Sequence, residues 1–287
     1  MKIRIVIMQI FALLVVNSTA RATRFPATAE FELLEHLSGG MIGLAAINTH
    51  NNARILYRAQ ERFPVNCTSK VMAVGALLEK SERDHDLLAR KLPLPATLPD
   101  GELLRKYQKT GISLEKLAQE ILTGRNHTAI NMLVKQLGGL EKVAEFSRKT
   151  GNSALLMKRW WPSEARWLWH ELQDTSTPAS MADNLYQLTL GSGLAKAQRG
   201  QLIQWMKENT SGENRIRAGV PFGWDVAEKT GTGFYHGTTN DIGVIWPPNA
   251  KPIVIAIFYK HPDKKAEKRE DILARATKIV LRSFKLL

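Results

Sequence analysis

The sequence predicts an α/β (α+β) fold with two lobes, one built on a β-sheet and one helical. Strand-like segments occur near both ends of the chain, and the middle is dominated by helical spacing of apolar residues. At 287 residues, the chain can form one large domain or two modest ones. Strands at both ends are explained if the two ends build one sheet, with the helical lobe inserted between them.

The first 22 residues are predicted to be a signal peptide. Lys2 and Arg4 precede an apolar run at residues 5–16, and Ala20-Arg21-Ala22 matches the small-residue cleavage pattern. Because the run is too short for a convincing membrane span, we expect an exported protein, periplasmic or secreted, without stable membrane insertion. Export also argues against nucleic acid as a partner.

The remainder, residues 23–287, is expected to form a single domain. Its sheet lobe is predicted at about 23–62 and 213–287, and its helical lobe at about 63–212. In the N-terminal part, residues 27–36 are amphipathic and helical. The strand-like runs that follow, 41–47 and 53–57, are separated by a polar cluster that suits a hairpin turn.

The rest of the chain is assigned by the spacing of its apolar residues. The predicted helices of the middle are 70–80, 114–122, 128–137 and 140–149. The predicted strands of the C-terminal part are 224–229, 241–246 and 253–259, followed by a helix at about 265–284.

Composition excludes several classes of protein. With 44% hydrophobic and 23% charged residues, the chain is neither disordered nor disulfide-rich, and its one cysteine cannot close an intramolecular disulfide. The seven histidines form no metal-ligand pattern, so neither a metal nor another cofactor is expected. The net charge of +13 fits an anionic partner or simply a solvated basic surface, and we favour the latter because no helix gathers the charges on one face.

The segment Cys67-Thr68-Ser69-Lys70 opens one of the predicted helices. If the helix starts near residue 67, Cys67 and Lys70 share a face, and the thiol lies at the positive end of the helix dipole beside an ammonium. Both effects favour the thiolate, which is the nucleophilic form of cysteine. The alternative is an inert core cysteine beside a solvated lysine, and spacing alone does not separate the two.

A second segment, Lys229-Thr230-Gly231-Thr232-Gly233, is expected at the end of a strand. A lysine and hydroxyls there can bind a carboxylate, and backbone N–H groups beside glycines can bind an oxyanion. Taken alone, the segment also fits an ordinary glycine-rich turn. Its glycines lack the spacing and the helix context of a dinucleotide-binding loop.

Together, the two segments resemble the S-x-x-K and K-T-G motifs of the class A serine β-lactamases. The similarity runs from about Phe31 to Leu281 and is densest at residues 61–72, 174–178, 209–212, 216–219 and 229–246. The resemblance implies a five-stranded antiparallel sheet with flanking helices, an all-helical lobe, and an active site between the lobes. It also implies a small-molecule substrate, one that can carry a carboxylate.

The resemblance assigns roles, and several positions depart from the family pattern. Cys67 stands where the family has its nucleophilic serine, whereas Lys70 keeps the family's lysine. Arg125-Asn126-His127 replaces the S-D-N loop, so the proton-shuttling hydroxyl and the substrate-holding amide are both lost. His127 can replace the shuttle and Arg125 can bind a substrate carboxylate with Lys229, or both can be solvated loop residues.

The Ω-loop of the family corresponds to residues Arg159 to Asp174. In the family, the residues at these two end positions join the loop ends by a salt bridge. Trp161 takes the position of the general-base glutamate, and Ala165 that of the water-holding asparagine. Glu164 is either a displaced base or a solvent-facing acid, and we favour the second interpretation.

Four of the seven tryptophans lie in this loop: Trp160, Trp161, Trp167 and Trp169. Tryptophans usually pack in a core. Here they replace a largely polar loop beside the cleft, which indicates an apolar substrate or an occluded site. Trp161 is therefore counted among the candidate substrate-binding residues.

The resulting hypothesis is an acyl-enzyme hydrolase or acyltransferase with a cysteine nucleophile, acting as a monomer on a β-lactam or a related amide, ester or thioester. The catalytic candidates are Cys67, Lys70 and His127. The substrate-binding candidates are Lys229, Thr230, Thr232, Arg125 and Trp161. Because the base is missing, we expect poor hydrolysis of common β-lactams. The alternative is a catalytically silent binding protein that kept the fold.

Overall fold

The computed structural model describes residues 27–95, 105–124 and 126–287. The predicted signal peptide and Arg125 lie outside the described residues. Within the described part, no helix is long and apolar enough to cross a membrane. The strands are β1 (Met41–Asn48), β2 (Arg54–Tyr57), β3 (Phe63–Pro64), β4 (Lys91–Leu92), β5 (Ile112–Ser113), β6 (Thr175–Ser176), β7 (Asp225–Thr232), β8 (Thr239–Trp246) and β9 (Ile253–Lys260).

The main sheet has five antiparallel strands in the order β2-β1-β9-β8-β7. Strand β1, near the N-terminus, pairs along its whole length with β9, with Ala45 opposite Ala256. The two ends of the chain therefore build one sheet, which confirms that prediction and the five-stranded antiparallel sheet. The short strands form two separate pairs, β3 with β6 and β4 with β5.

Eight α-helices are described: α1 (Ala27–Ser38), α2 (Lys70–Ser81), α3 (Leu114–Thr123), α4 (His127–Leu137), α5 (Leu140–Lys149), α6 (Pro178–Thr189), α7 (Lys196–Lys207) and α8 (Glu270–Ser283). The predicted helices of the middle are confirmed within two residues. Helices α6 and α7 were not assigned from the sequence, although α6 carries a recognisable start. Thr177 accepts a hydrogen bond from the Ser180 N–H, and Pro178 is the first helical residue.

Two boundaries differ from the prediction. Helix α8 begins at Glu270, not near residue 265, because the backbone before it bonds to the β7–β8 turn: the His236 N–H donates to Lys264 O, and the His261 N–H to His236 O. Strand β7 continues through Thr232, so Lys229 lies inside the strand rather than at its end.

The sheet is covered on both faces. Alternate residues of β1 belong to different cores, with Leu44 packing in the cluster that includes the terminal helices α1 and α8, and Ala45 in the cluster that includes the inserted helices. Burial on both faces explains why β1 and β9 are continuous apolar runs. In the inserted lobe, α2 is buried almost all round, which makes it the central helix of that lobe. The start of α2 is therefore held rigidly.

Candidate active site

A cavity of about 330 Å³ lies where β7 meets the start of α2 and the start of α4. Its wall is formed by Cys67, Gly124, His127, Lys229, Thr230, Thr232, Gly233 and Phe234. Five of these residues are candidates from the sequence, and the fold brings them together from three separate segments of the chain.

Cys67 lies in a single 3₁₀ turn, Asn66–Ser69, that leads directly into α2. In a 3₁₀ turn, residues three apart stand one above the other, so Cys67 and Lys70 share a side. Two hydroxyl groups hold the turn: Thr68 Oγ1 donates to Val65 O at 2.6 Å, and Ser69 Oγ donates to Asn66 O at 2.7 Å. The thiol is half-buried and lines the cavity.

Lys70, the first residue of α2, is fully buried behind the thiol. Its ammonium has no hydrogen-bond partner among the residues that the structure describes. A buried cation without a partner is energetically costly, and such groups are concentrated at functional sites. Lys70 is therefore a buried lysine near Cys67, and the alternative of a solvated surface lysine is wrong.

Strand β7 approaches this turn closely because residue 231 is glycine. A Cβ at Gly231 would lie 3.0 Å from Val65 O and 3.1 Å from the Asn66 Cβ, so any larger residue would push the strand away. The approach brings Thr232 to the same cavity as Cys67. Their backbone N–H groups are the two that the family resemblance assigns to the oxyanion.

The anchor residues of β7 differ in exposure. Lys229 is only 2% exposed, and its ammonium donates to Thr230 O at 3.3 Å. Burial, and then the neighbouring charge of Lys70, lowers the pKa of Lys229 to about 8. The Thr230 hydroxyl lies 2.6 Å from Ser211 Oγ, which donates to Asn209 Oδ1 at 2.7 Å. Ser211 and Asn209 are thus site residues that were not among the sequence candidates.

Arg215, also not predicted, lies directly beneath the anchor residues. Although it is an arginine, it is only 1% exposed, and it pairs with Glu270 at 3.0 Å. Its guanidinium donates to Gly231 O at 2.9 Å and to Thr232 Oγ1 at 2.7 Å. It therefore fixes the Thr232 hydroxyl, and its charge, which is paired with Glu270, lies behind the β7 residues 229–232. No sequence pattern indicates that this arginine is buried.

His127 begins α4 and lines the cavity. The turn before it is fixed by Asn126, whose Oδ1 accepts from the Ala129 N–H at 2.8 Å as the N-cap. The structure thus brings His127 to the same cavity as Cys67. The proposed role of Arg125 stays a prediction, since that residue is outside the described part of the chain.

The Ω-loop, residues 159–174, is closed by Asp174. One oxygen of its carboxylate lies 2.5 Å from Arg159 Nε, and the other accepts from the Lys158 and Arg159 N–H groups at 2.8 and 3.1 Å. Arg159 also pairs with Glu171 at 2.9 Å. This is the ion pair at the loop ends that the resemblance implies.

Trp161 was expected to bind substrate, but the structure places its side chain in the core. It is 3% exposed and belongs to the core of the inserted lobe, whereas the cavity wall described above does not include it. Asn131 holds it there, donating from Nδ2 to Trp161 O at 2.7 Å and accepting from the Trp161 N–H at 3.2 Å. The aromatic side chain at the cavity is Phe234, which is 58% exposed.

The other loop tryptophans pack away from the thiol. Trp167 is buried and donates from Nε1 to Glu171 O at 2.8 Å, while the half-buried Trp169 contacts the His236 ring. Lys260 Nζ lies 5.6 and 5.2 Å from the centres of the two indole rings. Trp167 and Trp169 therefore hold the loop against the end of the sheet, at the β7–β8 turn and the end of β9, and the cavity wall described above contains none of the loop tryptophans. Whether the substrate is apolar or the site occluded stays a prediction.

Glu164 is buried, so the favoured interpretation of this residue as a solvent-facing acid is wrong. The side chain is 2% exposed, and neither carboxylate oxygen has a hydrogen-bond partner in the described structure. Burial, and then the nearby Cys67, raises the pKa of Glu164 to about 8, against the opposing charges of Lys70 and His127. A carboxyl group next to the thiol therefore exists, three residues after the position where the family has its base.

Cys67 and His127 are the two residues on the cavity wall of a type that binds metals. Within residues 27–95, 105–124 and 126–287, no three His, Cys, Asp or Glu side chains are grouped so that they could hold a metal ion.

Comparisons with known proteins agree over nearly the whole chain. The profile described as "Beta-lactamase enzyme family" matches residues 27–284. The β-lactamase Toho-1 of Escherichia coli is 42% identical over 280 residues, 97% of this chain and 96% of that protein. The β-lactamase OXY-2 of Klebsiella oxytoca is 42% identical over 249 residues, 86% of each. The crystal structure of a β-lactamase from Streptosporangium roseum has a TM-score of 0.88 and 33% identity, covering 91% of this chain and 99% of that chain.

Proposed function

The chain belongs to the β-lactamase enzyme family, and from this premise we propose that it forms a covalent acyl-enzyme on Cys67 and releases it slowly by hydrolysis. Family membership confirms the resemblance drawn from the motifs and supports a class A β-lactamase-like hydrolase. The proposed substrate is a β-lactam or a related strained amide, ester or thioester. The observation that carries the proposal is that Cys67, Lys229, Thr230 and Thr232 line one cavity.

The acylation step follows from the chemistry of the thiol. Cys67 Sγ forms a bond to the substrate carbonyl carbon while the Cys67 and Thr232 N–H groups bind the developing oxyanion. The carbon–nitrogen bond then breaks, and the nitrogen leaves with the proton that the thiol gave up, relayed through Lys70 or His127. Because a thiolate is itself a good leaving group, attack reverses unless ring strain or that proton favours the opened product. This requirement favours a strained lactam over an ordinary peptide bond.

A carboxylate on the substrate fits the charges around β7. Lys229 supplies a cation below its pKa of about 8, and the Thr230 and Thr232 hydroxyls lie on the same strand. Arg215 adds a permanent positive charge behind them. The cavity is therefore suited to a small anionic molecule.

Release is proposed to be slow because of the residues at the two Ω-loop positions that normally handle water. The Trp161 indole has no basic group and Ala165 has no polar side chain, so neither residue can take a proton from a water. A positioned general base is worth roughly 100- to 10,000-fold in rate. Poor turnover of common penicillins and cephalosporins is the expected consequence.

Export and a monomeric state are part of the same proposal. The basic residues and apolar run at positions 1–22 support cleavage of a signal peptide and release into the periplasm or the medium. N-terminal sequencing of the protein recovered from the periplasmic fraction should begin after Ala22. Full-length protein confined to the cytoplasm would contradict export.

The direct test of acylation is intact-mass measurement after mixing the protein with benzylpenicillin or a chromogenic cephalosporin. We expect a stoichiometric adduct on Cys67 that is absent in Cys67→Ala. The change Cys67→Ser alone should not restore fast hydrolysis, because the altered water-handling positions are in the Ω-loop. Absence of any adduct would favour the silent binding protein, and turnover at about tens per second would contradict slow release.

A further inference from the structure

We propose that Glu164 is a catalytic residue, accepting the proton of the attacking water when the Cys67 acyl-enzyme is hydrolysed. The inference rests on the proposed function, since it requires an acyl group on Cys67. It assigns the base to a residue that is not at the position where the family carries its glutamate.

The first support is the placement of the side chain. Glu164 belongs to a 3₁₀ turn, Ser163–Arg166, that packs directly on the Asn66–Ser69 turn carrying the thiol. Both turns are short and locked by backbone hydrogen bonds, including Ala165 N–H to Pro162 O at 3.1 Å and Thr68 N–H to Val65 O at 3.1 Å. The carboxyl group is therefore held beside Cys67 and does not swing from a mobile loop.

The second support is that this carboxylate has no structural partner. The other acids of the loop, Glu171 and Asp174, are both paired with Arg159. Glu164 is as buried as Asp174, yet no arginine or lysine pairs with it and no side chain among the described residues donates a hydrogen bond to it. A buried carboxyl group without a partner opposes folding, so its retention beside a nucleophile indicates a role in the chemistry.

The third support is the set of charged groups near it. The charges of Cys67 on the thiol turn, Lys70 at the start of α2 and His127 at the start of α4 all act on the Glu164 carboxyl group, Cys67 raising its pKa and the other two lowering it. The same three residues are the candidates for nucleophile and proton transfer. Glu164 thus completes a cluster of titratable side chains around the acylated sulfur.

The step can be written with every atom accounted for. The water oxygen bonds to the thioester carbon, the carbonyl electrons move to its oxygen, and one water proton passes to Glu164. The tetrahedral intermediate then collapses, the carbon–sulfur bond breaks, and its electron pair stays on Cys67 Sγ. The proton on Glu164 passes to the sulfur, which restores thiol and carboxylate, and the product leaves as a carboxylic acid that ionises in solvent.

The charge state of Glu164 adds to the slow release proposed above, because it limits the base near neutrality. With its pKa raised to about 8, mainly by burial, only about a tenth of the carboxyl groups are ionised at pH 7. The rate should rise with pH as the carboxylate forms. Acylation removes the thiolate, one of the causes of the raised pKa, so the midpoint in the acyl-enzyme should lie at or below about 8.

The experiment measures decay of the acyl-enzyme rather than overall turnover. The mature protein is acylated with benzylpenicillin, excess reagent is removed, and loss of the Cys67 adduct is followed by intact mass from pH 6 to 9. The variants are Glu164→Gln, Glu164→Asp and, as a matched control, Glu213→Gln at an exposed acid.

We expect the decay rate of the wild-type adduct to rise with pH, with a midpoint at or below about pH 8. The Glu213→Gln control should show the same pH dependence. Glu164→Gln should acylate within about threefold of wild type but decay at least tenfold more slowly at pH 8, with the rise abolished. Equal decay in Glu164→Gln, or a wild-type adduct that does not decay at any pH tested, would overturn the inference while leaving acylation intact. If Glu164→Gln does not fold, Glu164→Asp decides: slowed decay supports the role and unchanged decay overturns it. No adduct in any protein would mean that the proposed function itself fails.

Discussion

Lys229 shows how the fold changes the chemistry of a single side chain. A surface lysine keeps its charge well above neutral pH, but Lys229 is buried in β7 near Lys70, and its pKa falls to about 8. For a lysine, a lowered pKa means that the cation is present below pH 8 and lost above it. The charge of Lys229, and with it the carboxylate binding proposed above, is therefore sensitive to pH.

The acylation rate constant should accordingly fall above pH 8 for substrates with a carboxylate. We expect a decline of about thirtyfold between pH 7 and 9.5 in the second-order rate constant, measured by stopped-flow or by mass, because the charged fraction of Lys229 falls by that factor. Lys229→Arg keeps its charge at high pH and should shift the decline upward. A methyl ester of the same β-lactam is the control, and an equal decline for the ester would mean that another group is responsible.

Gly231 is a second position where one side chain decides the geometry. A Cβ there would lie 3.0 Å from Val65 O, and it would also press on the side chains of Asn66 and Thr68. Gly231→Ala should move β7 away from the thiol turn and lower the acylation rate constant at least tenfold. Gly200→Ala is the matched control, because nothing lies within 4 Å of its Cβ in α7. That control should leave acylation unchanged and stabilise the fold by about 0.5–1 kcal/mol.

At the scale of elements, the Ω-loop is a strap rather than a lid. Its ends are joined through Asp174, its middle is tied to α4 through Asn131, and the Phe234 N–H of the β7–β8 turn donates to Ala165 O at 2.8 Å. These contacts hold Glu164 against the thiol turn. The position of the carboxyl group therefore depends on the whole strap.

Breaking the strap at its base should loosen the whole loop. Asp174→Asn keeps an oxygen acceptor and tolerates the positive φ of 55° at this residue, but it removes a buried charge opposite Arg159. We expect a loss of about 2–4 kcal/mol in the free energy of unfolding, measured with urea, and faster proteolysis within residues 159–174. The exposed pair Arg269–Asp271 supplies the control, since Asp271→Asn should cost about 1 kcal/mol or less. Similar losses for both variants would show that the strap contributes little.

At the scale of the whole molecule, one hydrophobic cluster joins the sheet to the inserted helices. It contains Ala45 and Phe258 from the sheet together with Leu77 and Leu188 from the helical lobe. The cluster should prevent the two lobes from unfolding separately.

A single cooperative transition is therefore expected in thermal or urea unfolding. Far-UV circular dichroism and tryptophan fluorescence should report the same midpoint. Two separated transitions would indicate that the predicted single domain is in fact two folding units.

Much of this architecture was accessible from the sequence, because the spacing of apolar residues is a local property. Strands β1, β8 and β9 and helices α2 to α5 were located within two residues for that reason. Helices α6 and α7 were not assigned, although the cap and proline at Thr177 and Pro178 signal the start of α6. The start of α8 differs from the prediction because the backbone before Glu270 is hydrogen-bonded to the distant β7–β8 turn, so the helix begins about five residues later.

By itself, the sequence determined the family and the two-lobed fold, and it singled out Cys67, Lys229 and Thr230 as candidate site residues. Those are properties of residue type and order, which motifs and periodicity express directly. Only the tertiary structure decided that Glu164 and Arg215 are buried at the site and that Trp161 is in the core. An acid or an arginine in a loop is normally exposed to solvent, and the indole of a loop tryptophan can lie either in solvent or in the core. Which of them is withdrawn from water depends on segments far apart in the chain meeting at one cavity, and that is a property of packing.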